Sequence, residues 1–314
     1  MQTKINIVNL QIKNKKNSNS FKKNYFAYML MLPAIVLTFI FAYLPMPGIL
    51  AAFQDYNIFK GLLDSPWVGM KHIKEIFQIP LMWGSIINTV KLSVLTIVVS
   101  FPAPIILALM INEVKNGIYK RTVQTLSYLP HFLSWIAVVG LTYSFLDQYG
   151  PLNDLLILVF GVDTERAMFL SKQEIFVPVL LILSVWKEIG WGTIVYLAAI
   201  TSIDPMLYEA AYIDGANRFK QHYYITLPGM KQTTVLLLIF TLGSLFGSNF
   251  ELVYGMQNAF IDFDVISTVV YSSGIQQGNY SMAAAIGFTQ GLVAFLLTFF
   301  ANQISKKVSQ ISIW

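Results

Sequence analysis

Residues 175–200 read IFVPVLLILSVWKEIGWGTIVYLAAI, and only Lys187 and Glu188 carry charge in this run of 26 residues. Wound as a helix at about 1.5 Å per residue, the run is about 39 Å long, enough to cross about 30 Å of hydrocarbon. Five more blocks of this kind lie on either side of it, at 25–53, 84–111, 122–146, 233–254 and 281–301. The expectation is an all-α polytopic membrane protein with six transmembrane helices. The competing reading is a large soluble protein with buried helices. Six apolar runs of about 20 residues or more argue against it.

Composition and charge agree with the span count. Of the 314 residues, 55% are hydrophobic and 12% charged, the latter about half the share of an ordinary soluble domain. There is no cysteine, which excludes disulfides, thiolate chemistry and Cys-ligated metals. The net charge of +5 is explained by topology rather than by nucleic acid. Segments 1–24, 112–121, 201–232 and 302–314 hold 6, 3, 3 and 2 Lys/Arg, against 3, 2 and 0 in the three loops on the other side. Fourteen against five is a positive-inside bias and puts both termini in the cytoplasm. The outside loop 147–174 carries five carboxylates against Arg166 and Lys172. The first block is too long for a signal h-region and no small-x-small site follows it, so it reads as a retained span. The basic tail 1–24 is either a disordered segment near anionic headgroups or simply a topology signal. The membrane domain is 25–314.

Pro33, Pro45, Pro47, Pro102, Pro104 and Pro130 fall inside the blocks and predict kinks. Gly243 and Gly247 form a small-xxx-small pair that suits close helix packing. Residues 150–161 predict a short helix lying outside. No repeat of 20–50 residues is visible. Enzymatic chemistry finds no support. There is no P-loop, no G-x-S-x-G elbow and no H-E-x-x-H, and His72, His131 and His222 lie far apart.

The cytoplasmic loop 201–232 is the most informative polar segment. Asp204 suits a helix N-cap, Pro205 the first helical position, and Gly215 a left-handed C′ residue. A second short helix is expected over 217–224, broken by Leu227-Pro228. Glu209, Tyr212, Ile213 and Ala216 share one face. A capped, partly apolar helix here is either a docking element or an interfacial helix lying on the membrane.

These residues also carry a resemblance. Glu209-Ala210-Ala211, Asp214-Gly215-Ala216 and Ile225-x-Leu227-Pro228 resemble the signature loop of the permease subunits of binding-protein-dependent ABC importers. The likeness runs from about Asn24 to the C-terminus. Phe53-Gln54-Asp55-Tyr56, Trp67-Val68-Gly69, Asp264-Val265-Ile266-Ser267-Thr268 and Gly274-Ile275 are similar to the branch that imports oligosaccharides and polysaccharide fragments. The resemblance implies a coupling helix between spans 4 and 5, seated in a separate ATPase subunit. Glu209, Ala210, Ala211, Asp214 and Gly215 would belong to the docking surface, and Arg218 is added as an exposed cation beside them. It further implies a second permease subunit, two ATP-binding subunits and an extracytoplasmic solute-binding protein, in a bacterial cell membrane. No cofactor is expected in this chain, since ATP and Mg belong to the partner ATPase.

Charges inside the blocks are few. Ser184, Glu188 and Trp191 share a face of span 4, and Ser244, Ser248 and Glu251 a face of span 5, with Asn249 beside them. Carboxylates, amides and hydroxyls can bind sugar hydroxyls, and indole rings can stack on a pyranose, so these residues are the candidate pathway lining. The other reading is that Glu188 and Glu251 sit near the outer helix ends or pair structurally with Lys187 or Lys91. Two rival functions remain: an ion- or proton-coupled secondary transporter using Glu188 or Glu251, and a receptor or scaffold without transport.

Overall fold

The computed structural model describes residues 24–115, 117–161, 165–244, 249–309 and 312–313. The basic tail therefore lies outside the described residues, Asn24 excepted. The chain divides into two units, with the boundary between Gly48 and Ile49.

Helix α1 is Tyr25–Phe53. Residues 24–50 are exposed all round, and a helix that is apolar on every side is built for lipid. In the second unit α2 spans Pro80–Glu113. Next come α3 (Ile118–Tyr128) and α4 (Trp135–Leu146). The short outside helix α5 is Pro151–Phe160, as expected, with Gly150 before it and left-handed Gly161 (φ +105°) after it. Helix α6 is Gln173–Thr201, α7 is Pro205–Ile213 and α8 is Arg218–Gly229. Helices α9 (Lys231–Ser244), α10 (Phe250–Met256), α11 (Ile266–Tyr271) and α12 (Tyr280–Ser309) complete the chain. No strand occurs among the described residues; the one β contact is an isolated bridge between Gln54 and Trp67.

Four helices are long and apolar enough to span a bilayer, and up to six spans result if each of two bent pairs counts as one. Two of the expected blocks are not single helices. Block 122–146 is not one straight helix, because the chain turns through 103° between Phe132 and Trp135. Pro130 lies in the first turn of a short 3-10 segment there, and Ser134 restarts the chain as an N-cap, accepting a hydrogen bond from Ala137 N at 3.2 Å. Block 233–254 is not one continuous helix either: α10 starts after Asn249, which is left-handed at φ 60°. Asn is among the few non-glycine residues that tolerate this conformation. A further bend of 60° separates α8 from α9.

The prolines act in a more specific way than simple kinking. Three times a five-residue π turn ends two residues ahead of a proline: Phe39–Tyr43 before Pro45, Thr96–Ser100 before Pro102, and His222–Thr226 before Pro228. In each, the intervening residue bonds five back, as in Leu44 N to Phe39 O and Phe101 N to Thr96 O. Proline lacks an N–H and its ring crowds the carbonyl four residues back; the wider turn makes room without ending the helix. The expected break at Leu227-Pro228 is thereby displaced by a residue: α8 runs through Pro228 to Gly229 and the 60° bend follows at Met230.

Three apolar clusters hold the second unit together. One joins Leu92, Val139, Phe176, Leu180 and Val253 from α2, α4, α6 and α10. A second joins Ile76, Met82, Ile266, Val269 and Ile286, and a third Ala108, Tyr196, Ile200 and Met230. Close approach needs glycine at α6. A Cβ on Gly190 would meet Ser127 O of α3 at 2.0 Å, and one on Gly192 would meet Pro104 Cγ of α2 at 2.9 Å. The expected small-residue contact is seen at Gly243, where a Cβ would meet Thr298 Oγ1 of α12 at 2.8 Å; Gly247 lies outside the described residues.

Candidate functional site

Two regions carry functional side chains. The first is the α7–α8 loop. Asp204 caps α7, its carboxylate accepting from Met206 N at 2.9 Å, and Pro205 follows at the first helical position. The helix closes in a Schellman arrangement: Gly215 N bonds Tyr212 O (3.1 Å) and Ala216 N bonds Ala211 O (2.8 Å), with Gly215 at φ +75°. Asn217 then caps α8, accepting from Lys220 N at 2.9 Å. The two arms are tied to each other. Gln221 Nε2 donates to Ala216 O at 3.1 Å, and the Tyr208 hydroxyl shares a 3.0 Å hydrogen bond with buried Thr226. Loop 201–232 thus folds as one braced body.

That body presents a largely apolar surface. Tyr212 is 78% and Ile213 84% exposed. They frame an open hollow of about 390 Å³ together with Tyr208, Glu209, Arg218 and Gln221. Ala210, Asp214 and Gly215 are exposed and Ala211 is half-buried. Arg218 is exposed, yet its Nε stands 3.7 Å from Glu113 at the end of α2, a partner that no local sequence signal marks.

The second region is a cleft of about 410 Å³ between α2, α6 and α9. Ser184, Glu188, Trp191, Ser244 and Asn249 line it, so five of the seven proposed pathway residues are brought together. Asn249 Nδ2 donates to Ser184 Oγ at 3.2 Å, which joins the end of the α9–α10 break to α6. Ser248 lies outside the described residues. Glu251 does not line the cleft. The helical spacing that puts it on the face of Ser244 assumes one continuous helix, and left-handed Asn249 stands between the two. Thr96, Ser100, Phe101 and Pro104 of α2 also line the cleft, with Tyr196 and Thr241. Their one sequence signal was a Thr/Ser pair four residues apart within an apolar block. The Ser100 hydroxyl is buried and has no hydrogen-bond partner among the described residues.

At one end of the cleft lies a charged and aromatic cluster. Lys187 is 6% exposed, and its Nζ donates to Glu188 Oε1 at 3.2 Å and to His131 O at 3.0 Å. It also sits 4.8 Å from the centre of the Trp135 ring, so the buried cation is fully engaged. The other oxygen of Glu188 lies 2.9 Å from His131 Nδ1. The His131 ring stacks on Trp191 at 4.5 Å and an interplanar angle of 3°. Pairing of Glu188 with Lys187 and exposure of Glu188 to the cleft therefore hold together. His131 is 57 residues from Glu188 in the chain, and nothing local in the sequence marks it. Lys91 is exposed on α2.

Taken as chemistry, the cleft offers hydroxyls, an amide, a charge-compensated carboxylate and an indole face. These groups fit a polyhydroxylated solute.

The pattern of the family described as "Binding-protein-dependent transport system inner membrane component" matches residues 100–310. The chain is 42% identical to Protein LplB of Bacillus subtilis (strain 168) over 93% of its length and 92% of that protein's. It is also 42% identical to the polygalacturonan/rhamnogalacturonan transport system permease protein YteP of the same organism, over 92% and 90%. Among solved structures, it matches a chain of a bacterial ABC transporter involved in import of the acidic polysaccharide alginate. The TM-score is 0.80 at 38% identity, covering 92% of this chain and 97% of that one. A structure of a bacterial alginate ABC transporter with an alginate pentasaccharide-bound periplasmic protein gives 0.81 at 37% identity, over 93% and 98%.

Proposed function

We propose, since this chain belongs to the binding-protein-dependent transport system inner membrane component family, that it forms half of an ATP-driven import pathway for an oligosaccharide. A second permease subunit supplies the other half. Two separate ATP-binding subunits hold ATP and Mg and hydrolyse the nucleotide, and an extracytoplasmic binding protein delivers the solute. Both termini face the cytoplasm, in keeping with the Lys/Arg bias of fourteen against five. The observation that carries the reading is the braced α7 loop: a helix capped at both ends, with Tyr212 and Ile213 exposed beside Glu209. Such a body can seat in a partner and move as a unit. ATP binding then favours one of two conformations and hydrolysis releases it.

The carbohydrate assignment is supported by the relatives named for polygalacturonan/rhamnogalacturonan and alginate and by the hydroxyl-, amide- and indole-lined cleft. Because Lys187 offsets the charge of Glu188, the cleft does not repel an acidic oligosaccharide strongly. The same pairing weakens the ion- or proton-coupled reading, which needs a carboxylate free to load and release a proton.

The test is co-purification. A tagged permease carrying Glu209→Lys is expected to lose most of its ATPase subunit, whereas Lys91→Gln, on exposed α2 surface, keeps it. A full ATPase complement on Glu209→Lys would show that α7 is not the docking element.

A further inference from the structure

We infer that Glu113 is a positioning residue that fastens the α7–α8 loop to α2, so that movement of the loop is delivered to the cleft. The inference rests on the docking role proposed for α7.

Glu113 is the last residue of α2. Its Oε1 lies 3.2 Å from His222 Nε2, and its Oε2 3.7 Å from Arg218 Nε. Both charges stand where their own helices disfavour them. A carboxylate at a helix C-terminus faces the negative end of the macrodipole, and Arg218, opening α8, faces the positive end. Each is compensated by the other across the gap between the helices. The link continues inward. His222 Nδ1 lies 3.3 Å from Thr226 Oγ1, and Thr226 Oγ1 lies 3.0 Å from the Tyr208 hydroxyl on α7. Glu113, His222, Thr226 and Tyr208 thus form a continuous polar strut from the end of α2 to the body of α7.

What the strut reaches is the cleft. Ser100 stands thirteen residues before Glu113 in α2, about 20 Å along the helix, and lines the cleft with Thr96 and Pro104. Helix α2 in turn grips α6, since Thr193 Oγ1 donates to Pro104 O at 3.2 Å and Gly192 leaves room for the Pro104 ring. A pull on α7 reaches α6 and α9 along the chain itself, since residues 202–204 join α6 to α7 and α8 runs on into α9; the polar strut is what adds α2, the third helix lining the cleft.

The experiment uses the complete complex, with both permeases, both ATPase subunits and the binding protein, in proteoliposomes. Solute taken up per ATP hydrolysed is measured alongside ATPase subunit content. Glu113→Gln is expected to keep a full ATPase complement but lower uptake per ATP at least threefold. Adding His222→Gln to it should lower the ratio no further. Because the chain has no cysteine, Glu113→Cys with His222→Cys provides a unique thiol pair. Joining it with a short bifunctional reagent should restore the ratio that the unjoined pair loses. Uptake per ATP unchanged in Glu113→Gln, or no recovery on joining, overturns the inference. Loss of the ATPase subunit from Glu113→Gln also overturns it, since the residue would then act in docking itself. The docking proposal fails separately, on the Glu209→Lys result.

Discussion

At the residue scale, the cluster at the cleft rests on a few short contacts that differ in legibility. Glu188 and Trp191 could be singled out because a carboxylate in an apolar span is costly without a purpose and the indole shares its face. Their partner His131 could not, because the contact is made by packing α6 against the 3-10 segment that ends α3. Two predictions belong here. Removing the indole with Trp191→Ala is expected to weaken solute uptake by several-fold while leaving ATPase subunit content intact, as read by transport and co-purification. Truncating Lys187 to Ala leaves Glu188 short of a cation next to apolar surface. Because Glu188 is open to the cleft and keeps its contact with His131, the cost is expected to be only about 1 kcal/mol, seen as a slightly lower Tm in detergent, and Lys187→Ala with Glu188→Ala should recover part of it.

The element scale shows best where sequence reasoning succeeded and where it stopped. Local signals were sound. Asp204, Pro205 and Gly215 take the cap positions their chemistry favours, and α5 lies between its two glycines. Each of those signals acts within a few residues. The interrupted blocks were less readable, since hydropathy over 122–146 and 233–254 reports polarity and says nothing of direction. Left-handed Asn249 stands between Ser244 and Glu251, a conformation that helical spacing alone does not foresee. Proline spacing also sets where the helix widens, because a π turn precedes Pro228 and α8 ends just after it, at Gly229. Two outcomes follow. Asp204→Ala should destabilise α7 by about 1 kcal/mol, detectable as faster amide exchange over 205–213. Gly190→Leu, by driving a side chain into Ser127 O, should prevent α6 from packing on α3 and sharply lower the yield of folded protein.

At the scale of the whole molecule, four to six spans and a family match over residues 100–310 describe one permease polypeptide. The all-helical membrane architecture and the family resemblance were both legible in the sequence, through block length and through the Glu209 to Pro228 loop, whereas the expected six spans compare with four to six. The cleft was legible only in half: α6 and α9 offered candidates, whereas α2 contributed Thr96 and Ser100 without announcing them. Those hydroxyls matter only once α2 is packed against α6 through Gly192 and Thr193. The central claim is that transport through this chain is driven by ATP in partner subunits rather than by an ion gradient. Uptake of labelled oligosaccharide into proteoliposomes holding the complete complex tests it most directly, with ATP supplied or withheld and a protonophore present or absent. The account predicts uptake that requires ATP and the binding protein and is indifferent to the protonophore. Uptake that proceeds without ATP and collapses with the proton gradient would contradict it.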